Sequence, residues 1–379
     1  QIQLLLHDRL LLPPLAEFCF SGCPSSPPGF RRLRFGLWPG KQPSYCRHLH
    51  FFDCCPVKMG VLLSKPNTEK EYETGESDSF TYAACSMQGW RTSMEDAHCA
   101  ETDAGHGCGF FGVYDGHAGT DVAIYASKYL HKNVLSNSNL QTEVEKALKE
   151  GFLKTDADLL TQAGMEECHK IRRDVSRSRR SGSDKEYDDE DEDDDDDQPC
   201  VTESGSTAVT CLIKDKTIYC ANAGDSRAVM CRKGKAVNLS EDHKPMNEIE
   251  KERIVKANGF VEDKRVNGTL AVARALGDFS FKAEKTMSAE EQQVTCNPEI
   301  KKFTIEEGDS FIILACDGVW DVLSSQQAVD LVSQKLEQKM DLKAILSDLF
   351  DACLSPHPSA NEGLGCDNMT AIIVQLKTK

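Results

Sequence analysis

The chain has 379 residues with a hydrophobic content of 40%, which suffices for the core of one large domain or two smaller ones. Its formal charge of −17 argues against a nucleic-acid-binding surface over the whole molecule. Ten of the acidic residues form one run, Asp188–Asp197, and removing that run leaves about −7, which is ordinary for a soluble enzyme.

The 17 cysteines predict reduced thiols rather than a disulfide framework. Five of them lie in the first 58 residues, and the others are scattered singly, without a Cys-x-x-Cys pair or the Cys/His spacing of a zinc site. Buried, reduced thiols are typical of cytoplasmic and nuclear proteins. We therefore expect the protein in one or both of these compartments.

Residues 1–58 are expected to be upstream or disordered sequence outside the fold, because they mix Leu, Pro, Cys and Arg without periodicity. Met59 is the first methionine, and Met59-Gly60 with Ser64 matches an N-myristoylation signal, although a chance match is the alternative. A single acyl chain binds membranes only weakly. We accordingly expect an N-terminal arm over residues 59–79, at most weak membrane association, and a monomer.

From Phe80 onward, strand and helix patterns follow one another between turn residues, which predicts a folded domain over residues 80–376. Strands are predicted at Tyr82–Ser86, Gly109–Tyr114, Ala208–Ile213, Thr217–Ala221, Ser226–Cys231, Ser310–Ala315 and Ala371–Leu376. Helices are predicted at Val122–Leu130, Val144–Leu153, Ile249–Ala257, Gln326–Leu336 and Leu342–Leu354. Because the helices fall in blocks between groups of strands, we expect an α+β fold with antiparallel sheets.

Residues 166–203 interrupt this pattern and are expected to be a disordered insertion. The segment is basic from Lys170 to Arg180 and then runs through Ser and Gly into the acidic run. Blocks of like charge cannot bury apolar area to offset the entropy of ordering. The basic part is either a nuclear-localisation patch or a solvated linker, and the acidic run is a candidate binding segment for basic proteins.

Four acidic motifs carry the chemical signal, and each adjoins a predicted strand or turn. They are Glu95-Asp96, Asp115-Gly116-His117, Asp317-Gly318 and Asp367-Asn368. Taken alone, either Asp-Gly pair is better explained as an ordinary turn. Glu95-Asp96 alone could be a solvated helix start, and Asp367-Asn368 alone is an ordinary loop. Together, however, aspartates that converge on one cleft repel each other unless cations neutralise them. Carboxylate oxygens completed by water suit Mg²⁺ or Mn²⁺ rather than zinc.

From about Met59 to Leu376 the chain resembles the metal-dependent protein phosphatases of type 2C. The matching elements are Arg91 with Glu95-Asp96, Asp115-Gly116-His117-x-Gly119, Ser204-Gly205-Ser206-Thr207-Ala208, Asn222-Ala223-Gly224-Asp225-Ser226-Arg227, Asp242-His243-Lys244-Pro245, Arg274-Ala275-Leu276-Gly277-Asp278, Asp317-Gly318-Val319-Trp320-Asp321 and Asp367-Asn368. Met59-Gly60 with Pro66-Asn67-Thr68, together with the acidic insertion, is most similar to the gamma isoform.

The resemblance implies an antiparallel β-sandwich flanked by α-helices, with two Mg²⁺ or Mn²⁺ ions at its edge that activate a water against phosphoserine and phosphothreonine in phosphoproteins. By match, Asp115 bridges both ions and the Gly116 carbonyl ligates one of them. Asp317 and Asp367 hold the other ion, and Glu95 contributes directly or through water.

The resemblance also implies catalytic roles. Arg91 matches a phosphate-binding arginine, and Asp96 is counted with the catalytic residues. His117 matches the general acid that protonates the leaving alkoxide, while a satisfied strand-end histidine is the alternative. Asp225 and Asp321 match a third, weaker metal site, with a plain turn as the alternative for Asp225.

A phosphatase-like protein without catalytic activity is the rival interpretation. It predicts the loss of at least one central residue, but all five are present: Arg91, Asp115, His117, Asp317 and Asp367. Asp242 and Asp278, which also fall in matching motifs, are expected to organise loops rather than to bind metal.

Overall fold

The computed structural model describes residues 62–104, 108–181, 202–360 and 363–377, which belong to one compact unit, Val57–Lys379. The segment 1–58, the Met59-Gly60 sequence and the acidic run lie outside the described residues. What the sequence predicts for those stretches therefore stays a prediction.

Two antiparallel sheets form the centre of the described structure. The strands are β1 (Leu62–Glu76), β2 (Phe80–Arg91), β3 (Ala97–Glu101), β4 (Gly109–Tyr114), β5 (Gly116–His117), β6 (Gly205–Ser206), β7 (Ala208–Lys214), β8 (Thr217–Ala223), β9 (Arg227–Arg232), β10 (Lys235–Asn238), β11 (Val261–Glu262), β12 (Arg265–Val266), β13 (Leu276–Gly277), β14 (Glu299–Thr304), β15 (Asp309–Ala315) and β16 (Met369–Leu376). One sheet has six strands in the order β1-β2-β16-β15-β9-β10, and the other has five in the order β14-β8-β7-β4-β3.

Helices cover the outer face of each sheet. The helices of the described residues are α1 (Asp121–Leu135), α2 (Val144–Leu159), α3 (Gln162–Ser181), α4 (Glu248–Lys256), α5 (Asp317–Trp320), α6 (Ser325–Glu337) and α7 (Leu342–Cys353). Helices α1, α2 and α3 share a core with the five-stranded sheet, and α6 and α7 share another with the six-stranded sheet. A third core lies between the sheets. The expected antiparallel β-sandwich flanked by α-helices is thus confirmed.

The central strands are largely apolar because both of their faces are buried. In β15, Phe311 and Ile313 face the core under α6 and α7, whereas Ile312 and Leu314 face the space between the sheets. Burial on both sides also holds the strand ends, and therefore the residues that follow them, in fixed positions.

The expectation of disorder from residue 166 is wrong for residues 166–181, because α3 runs on to Ser181. Cys168 and Ile171 are buried in the core with α1 and α2, and Val175 packs against the same core. These apolar residues recur at helical spacing, so the charges of this segment occupy only the other faces of an amphipathic helix.

The arm expected over residues 59–79 contains a long edge strand. In β1, Tyr72 pairs with Cys85 and Thr74 with Ala83 of β2, in an antiparallel register. Many side chains of β1 are polar and exposed, which is typical of a strand at the edge of a sheet. Within the described ranges, no helix is both long and apolar enough to cross a bilayer.

Candidate metal centre and active site

The acidic motifs meet at one edge of the sandwich because each adjoins a strand end. Asp115 follows β4 of the five-stranded sheet, and Asp225 lies in the turn between β8 and β9. Asp317 begins α5 and is separated from β15 only by Cys316, and Asp367 precedes β16. The two sheets therefore both supply carboxylates to the same edge.

A cleft of about 710 Å³ opens at this edge. Nine of the ten site residues predicted from the sequence line it: Arg91, Glu95, Asp115, Gly116, His117, Asp225, Asp317, Asp321 and Asp367. Arg265, Leu270, Val272 and Leu364 complete much of the remaining wall. The walls therefore combine many carboxylates with two arginines and a few apolar side chains.

The carboxylates of Asp115, Asp225 and Asp317 each place an oxygen within 4.8 Å of the others. Burial raises the pKa of Asp115 well above its ordinary value, and the charge of Asp317 raises it further. Burial likewise raises the pKa of Asp317, with Asp225 as the next cause. Such a group of buried like charges is stable in its ionised form only with positive charge among the oxygens.

Asp96 is the predicted site residue that does not line the cleft. It is buried, and burial raises the pKa of its carboxyl group to about 7. One of its oxygens has no hydrogen-bond partner, and a ligand atom of Asp96 lies within 4.8 Å of those of Asp115 and Cys316. Asp96 therefore lies beside Asp115 and behind the cleft wall, and its catalytic role stays a prediction.

The donor set fits hard divalent cations. The clustered ligands on the cleft wall are carboxylate oxygens, and an unpaired buried oxygen of Asp96 adds further negative potential beside Asp115. Oxygen-rich sites of this kind select Mg²⁺ or Mn²⁺ over softer metals. The backbone of residue 116 lies close to that of Glu95. Only glycine fits there, because a Cβ atom at residue 116 would lie 2.3 Å from the Glu95 carbonyl oxygen.

Glu95 is held in place by Asn368. The Asn368 side-chain oxygen accepts a hydrogen bond from the Glu95 backbone N–H at 3.0 Å. Its amide nitrogen donates to the carbonyl oxygens of Gln88 at 2.8 Å and Ser93 at 2.9 Å. Asn368 thus ties the segment carrying Glu95 to the start of β16, a role that sequence reasoning did not assign.

Arg91 ends β2 at the rim of the cleft, where 45% of its side chain is exposed. One Arg91 nitrogen donates to Asp367 at 2.6 Å. Burial lowers the pKa of Arg91, but the charge of Asp367 and this hydrogen bond outweigh that effect and raise it overall. The guanidinium is therefore positively charged and accessible, as a phosphate-binding group must be.

His117 also lines the cleft and bonds to a residue that was expected only to organise a loop. Its Nε2 lies 2.9 Å from Oδ1 and 2.8 Å from Oδ2 of Asp278. Burial lowers the pKa of His117, but the charge of Asp278 and the hydrogen bond raise it overall. The expectation that Asp278 does not bind metal stays a prediction, while its contact with His117 is new.

The candidate third site contains a cation from the chain itself. Lys244 donates a short hydrogen bond to Asp225, and its pKa is raised, because the charges of Asp225, Asp317 and Asp321 outweigh burial. Burial raises the pKa of Asp321, and the positive charge of Lys244 partly opposes that effect. Asp242 instead pairs with Arg227 at 2.7 Å, which fits the loop-organising role expected of it.

Cysteine chemistry does not account for the cleft. Cys85 and Arg91 have the Cys-x5-Arg spacing of cysteine-dependent phosphatases, but both lie on β2 and Cys85 is fully buried. Burial raises the pKa of Cys85 to about 12, so its thiol is not ionised near neutral pH. All eleven cysteines in the described part of the chain are buried, as the sequence predicts.

The profile of the protein phosphatase 2C family matches residues 80–361. Probable protein phosphatase 2C 21 of Arabidopsis thaliana is 43% identical over 332 residues, which cover 84% of this chain and 93% of the relative. Probable protein phosphatase 2C 6 of Paramecium tetraurelia is 39% identical over 320 residues, covering 84% of this chain and 100% of the relative. The chain therefore belongs to the protein phosphatase 2C family.

The fold comparison agrees with this assignment. The crystal structure of a serine-threonine phosphatase 2C from Toxoplasma gondii superposes with a TM-score of 0.62 over 82% of this chain and 99% of that one. Sequence identity over the superposition is 18%, so this likeness supports the fold alone. By family, the chain is a metal-dependent serine/threonine protein phosphatase.

Proposed function

We propose that this cleft hydrolyses phosphoserine and phosphothreonine in phosphoprotein substrates, using two Mg²⁺ or Mn²⁺ ions and a third, weaker one. The observation that carries the proposal is the convergence of Asp115, Asp225 and Asp317 in a cleft that Arg91 and His117 also line. Carboxylates supply the metal ligands, while the arginine and histidine supply the groups that a phosphate ester requires.

Five residues would hold the first two cations: Asp115, the Gly116 carbonyl, Asp317, Asp367 and Glu95. When bound, the cations would lower the pKa of a coordinated water toward neutrality and neutralise charge on the phosphoryl group. Asp96 supplies negative charge behind Asp115, and Asn368 fixes the segment carrying Glu95. Asp225 and Asp321 would hold the third cation, where Lys244 now pairs with Asp225.

Arg91 and His117 act on the substrate itself in this proposal. The planar, exposed guanidinium of Arg91 binds two oxygens of the dianionic phosphate and so orients the ester. His117 donates a proton to the serine or threonine oxygen as it leaves, because an alkoxide is too basic to leave alone.

Chelation tests the proposal directly. Hydrolysis of a phosphoserine peptide should vanish in EDTA and return on addition of Mn²⁺ or Mg²⁺, because the carboxylates do not cleave the ester by themselves. Asp115→Asn should remove several kcal/mol of transition-state stabilisation. We therefore expect kcat to fall on the order of 10³-fold or more.

The matched control is Asp309→Asn, which neutralises a buried carboxylate paired with Arg232 outside the cleft. It should lower stability without abolishing metal-dependent activity. Full activity after thorough chelation, or equal losses in both variants, would contradict the metal mechanism.

We further propose a monomer, most like the gamma isoform, that resides in the cytoplasm, the nucleus or both, binds no nucleic acid directly and associates with membranes weakly at most. Pro66-Asn67-Thr68 and the acidic run support the isoform, and the scattered, buried cysteines support a reducing compartment. Mass spectrometry of the mature N-terminus tests the acylation of Gly60, since myristoylation requires that Gly60 be the first residue.

A further inference from the structure

His117 is joined to a carboxylate that lies deeper in the protein. Both oxygens of Asp278 are within 2.9 Å of His117 Nε2. The Asp278 side chain is only 1% exposed, whereas 26% of the His117 side chain is exposed. A hydrogen bond at Nε2 leaves Nδ1 as the ring nitrogen available to a substrate in the cleft.

A small three-stranded sheet brings the two residues together, although they are 161 positions apart. Its strand order is β13-β6-β5, so β6 lies in the middle. Gly205 of β6 pairs with His117 on one side and with Gly277 on the other, and Asp278 follows Gly277. The register therefore places the imidazole and the carboxylate on either side of Gly205.

Gly205 leaves the space in which the contact forms. A Cβ atom at residue 205 would lie 2.2 Å from Oδ2 of Asp278 and 2.5 Å from Nε2 of His117. Both distances are far shorter than van der Waals contact, so any side chain here would push the two groups apart. The absence of a side chain at this position is therefore a requirement of the His117–Asp278 pair.

Asp278 is itself fixed on both sides. Its backbone N–H donates to the Ser204 carbonyl oxygen at 2.9 Å, and its backbone is left-handed, with φ of 52°. The preceding Gly277 N–H donates at 2.8 Å to Asp156, which Lys282 also contacts at 2.8 Å. A non-glycine residue in this conformation is strained, and the surrounding bonds hold it there.

From these contacts we infer that Asp278 is a positioning residue for His117. Gly205 leaves the space in which the two side chains meet. The carboxylate fixes the plane of the imidazole and directs Nδ1 to the leaving oxygen of the phosphoester. The inference rests on the proposed role of His117 as general acid. Neither Asp278 nor Gly205 touches the substrate.

The experiment compares two substrates with different leaving groups. A phosphoserine peptide releases an alkoxide that needs a proton, whereas p-nitrophenyl phosphate releases an anion that does not. His117→Ala should slow the peptide by roughly 10² to 10⁴ more than p-nitrophenyl phosphate. Asp278→Asn should show the same selectivity, on the order of 10-fold to 100-fold, because a neutral amide holds the same ring in position less firmly than the carboxylate does.

Gly205→Ala is a second, independent variant, since it keeps both charged groups and only separates them. In each variant kcat should fall with little change in KM, because Arg91 and the metal ligands remain. Adding Asp278→Asn to His117→Ala should cost less than about 3-fold more, since residues that act as one unit are not additive. Asp309→Asn is the control for loss of a buried, paired carboxylate and should slow both substrates equally.

A spectroscopic readout separates positioning from general damage. Nitrogen-15 NMR of the His117 ring should show an Nε2–H hydrogen-bonded to a carboxylate in the wild type. That hydrogen bond should weaken in Asp278→Asn, whose amide oxygen carries no charge, and should be lost in Gly205→Ala. If His117→Ala is selective but Asp278→Asn slows both substrates equally, the inference about Asp278 is overturned while the role of His117 stands. If His117→Ala itself slows both equally, the general-acid assignment fails first.

Discussion

His243 is a buried histidine that the fold keeps uncharged. It is 4% exposed, and its Nδ1 accepts a hydrogen bond from the Gly224 N–H at 3.3 Å. Burial is the main cause that lowers the pKa of His243 to about 3, and the positive charge of Arg274 adds to it. Glu250 acts in the opposite direction but does not reverse the shift.

The low pKa of His243 links stability to pH. An unfolded histidine binds a proton near pH 6.5, whereas folded His243 does not do so until about pH 3. Neutral His243 therefore makes its full contribution to the free energy of unfolding above pH 6.5, and this contribution is lost as the pH falls from there toward 3. At pH 5 the loss amounts to about 2 kcal/mol of unfolding free energy relative to neutral pH.

His243→Asn should remove this pH dependence, because the Asn side-chain oxygen can accept the Gly224 hydrogen bond but does not titrate. Urea unfolding at pH 7.5 and pH 5.0 measures the change, and the wild type should lose about 2 kcal/mol more than the variant. His357→Asn, at an exposed position, is the control. A wild type and variant that lose equal stability would show that His243 is not the linked group.

At the scale of elements, α3 is the part of the fold that the sequence described least well. Ile171 is 3% exposed in the core that α3 shares with α1 and α2. Ile171→Ala should therefore lower the unfolding free energy by about 2–5 kcal/mol, whereas a disordered segment would show no loss. Arg173→Ala, at an exposed position on the same helix, is the control and should change stability by less than about 0.5 kcal/mol. Thermal or urea unfolding distinguishes the two.

The strands were predictable where burial on both faces produces an unbroken apolar run, as in β4 and β15. Helix α3 was not, because its charged residues conceal an apolar stripe that only the packing against α1 reveals. Edge strand β1 was missed for a related reason. Its stability comes from pairing with β2 rather than from its own largely polar side chains.

The candidate site also contains residues that the sequence predicts and contacts that it does not show. The carboxylates could be predicted because each stands in a short motif at a strand end, and the structure places Asp115 and Asp317 in one cleft. The sequence did not show that Glu95 lines the cleft while its neighbour Asp96 is buried behind the cleft wall. Asp278 and Lys244 were noticed in their motifs, but their partners lie 161 and 19 positions away. Sequence spacing alone does not show such contacts.

At the scale of the whole molecule, the charge is concentrated in one place. Asp188–Asp197 carries ten of the negative charges, and the net charge of the chain is −17. Replacing these ten residues by Ser and Asn at constant length should abolish binding to a basic protein such as a histone, because that attraction is electrostatic. Phosphopeptide hydrolysis should stay within about 2-fold of wild type, since this variant leaves every residue of the described cleft unchanged.

Pulldown at 50 mM and 300 mM salt provides the measurement, and wild-type binding should weaken at the higher salt because charge interactions are screened. A Lys170→Ala variant, which alters the basic helix instead, is the control and should retain binding. Binding that survives neutralisation of the run would assign the partner surface to another part of the chain.

The origin of the carboxylates has a mechanical consequence. Asp115 is attached to the five-stranded sheet, whereas Asp317 and Asp367 are attached to the six-stranded sheet. A cation bound by these carboxylates would therefore connect the two sheets at this edge of the sandwich. The affinity for that cation would then depend on the distance between the sheets. A substitution at Ile312, which is buried between them, should therefore change cation binding without altering any ligand.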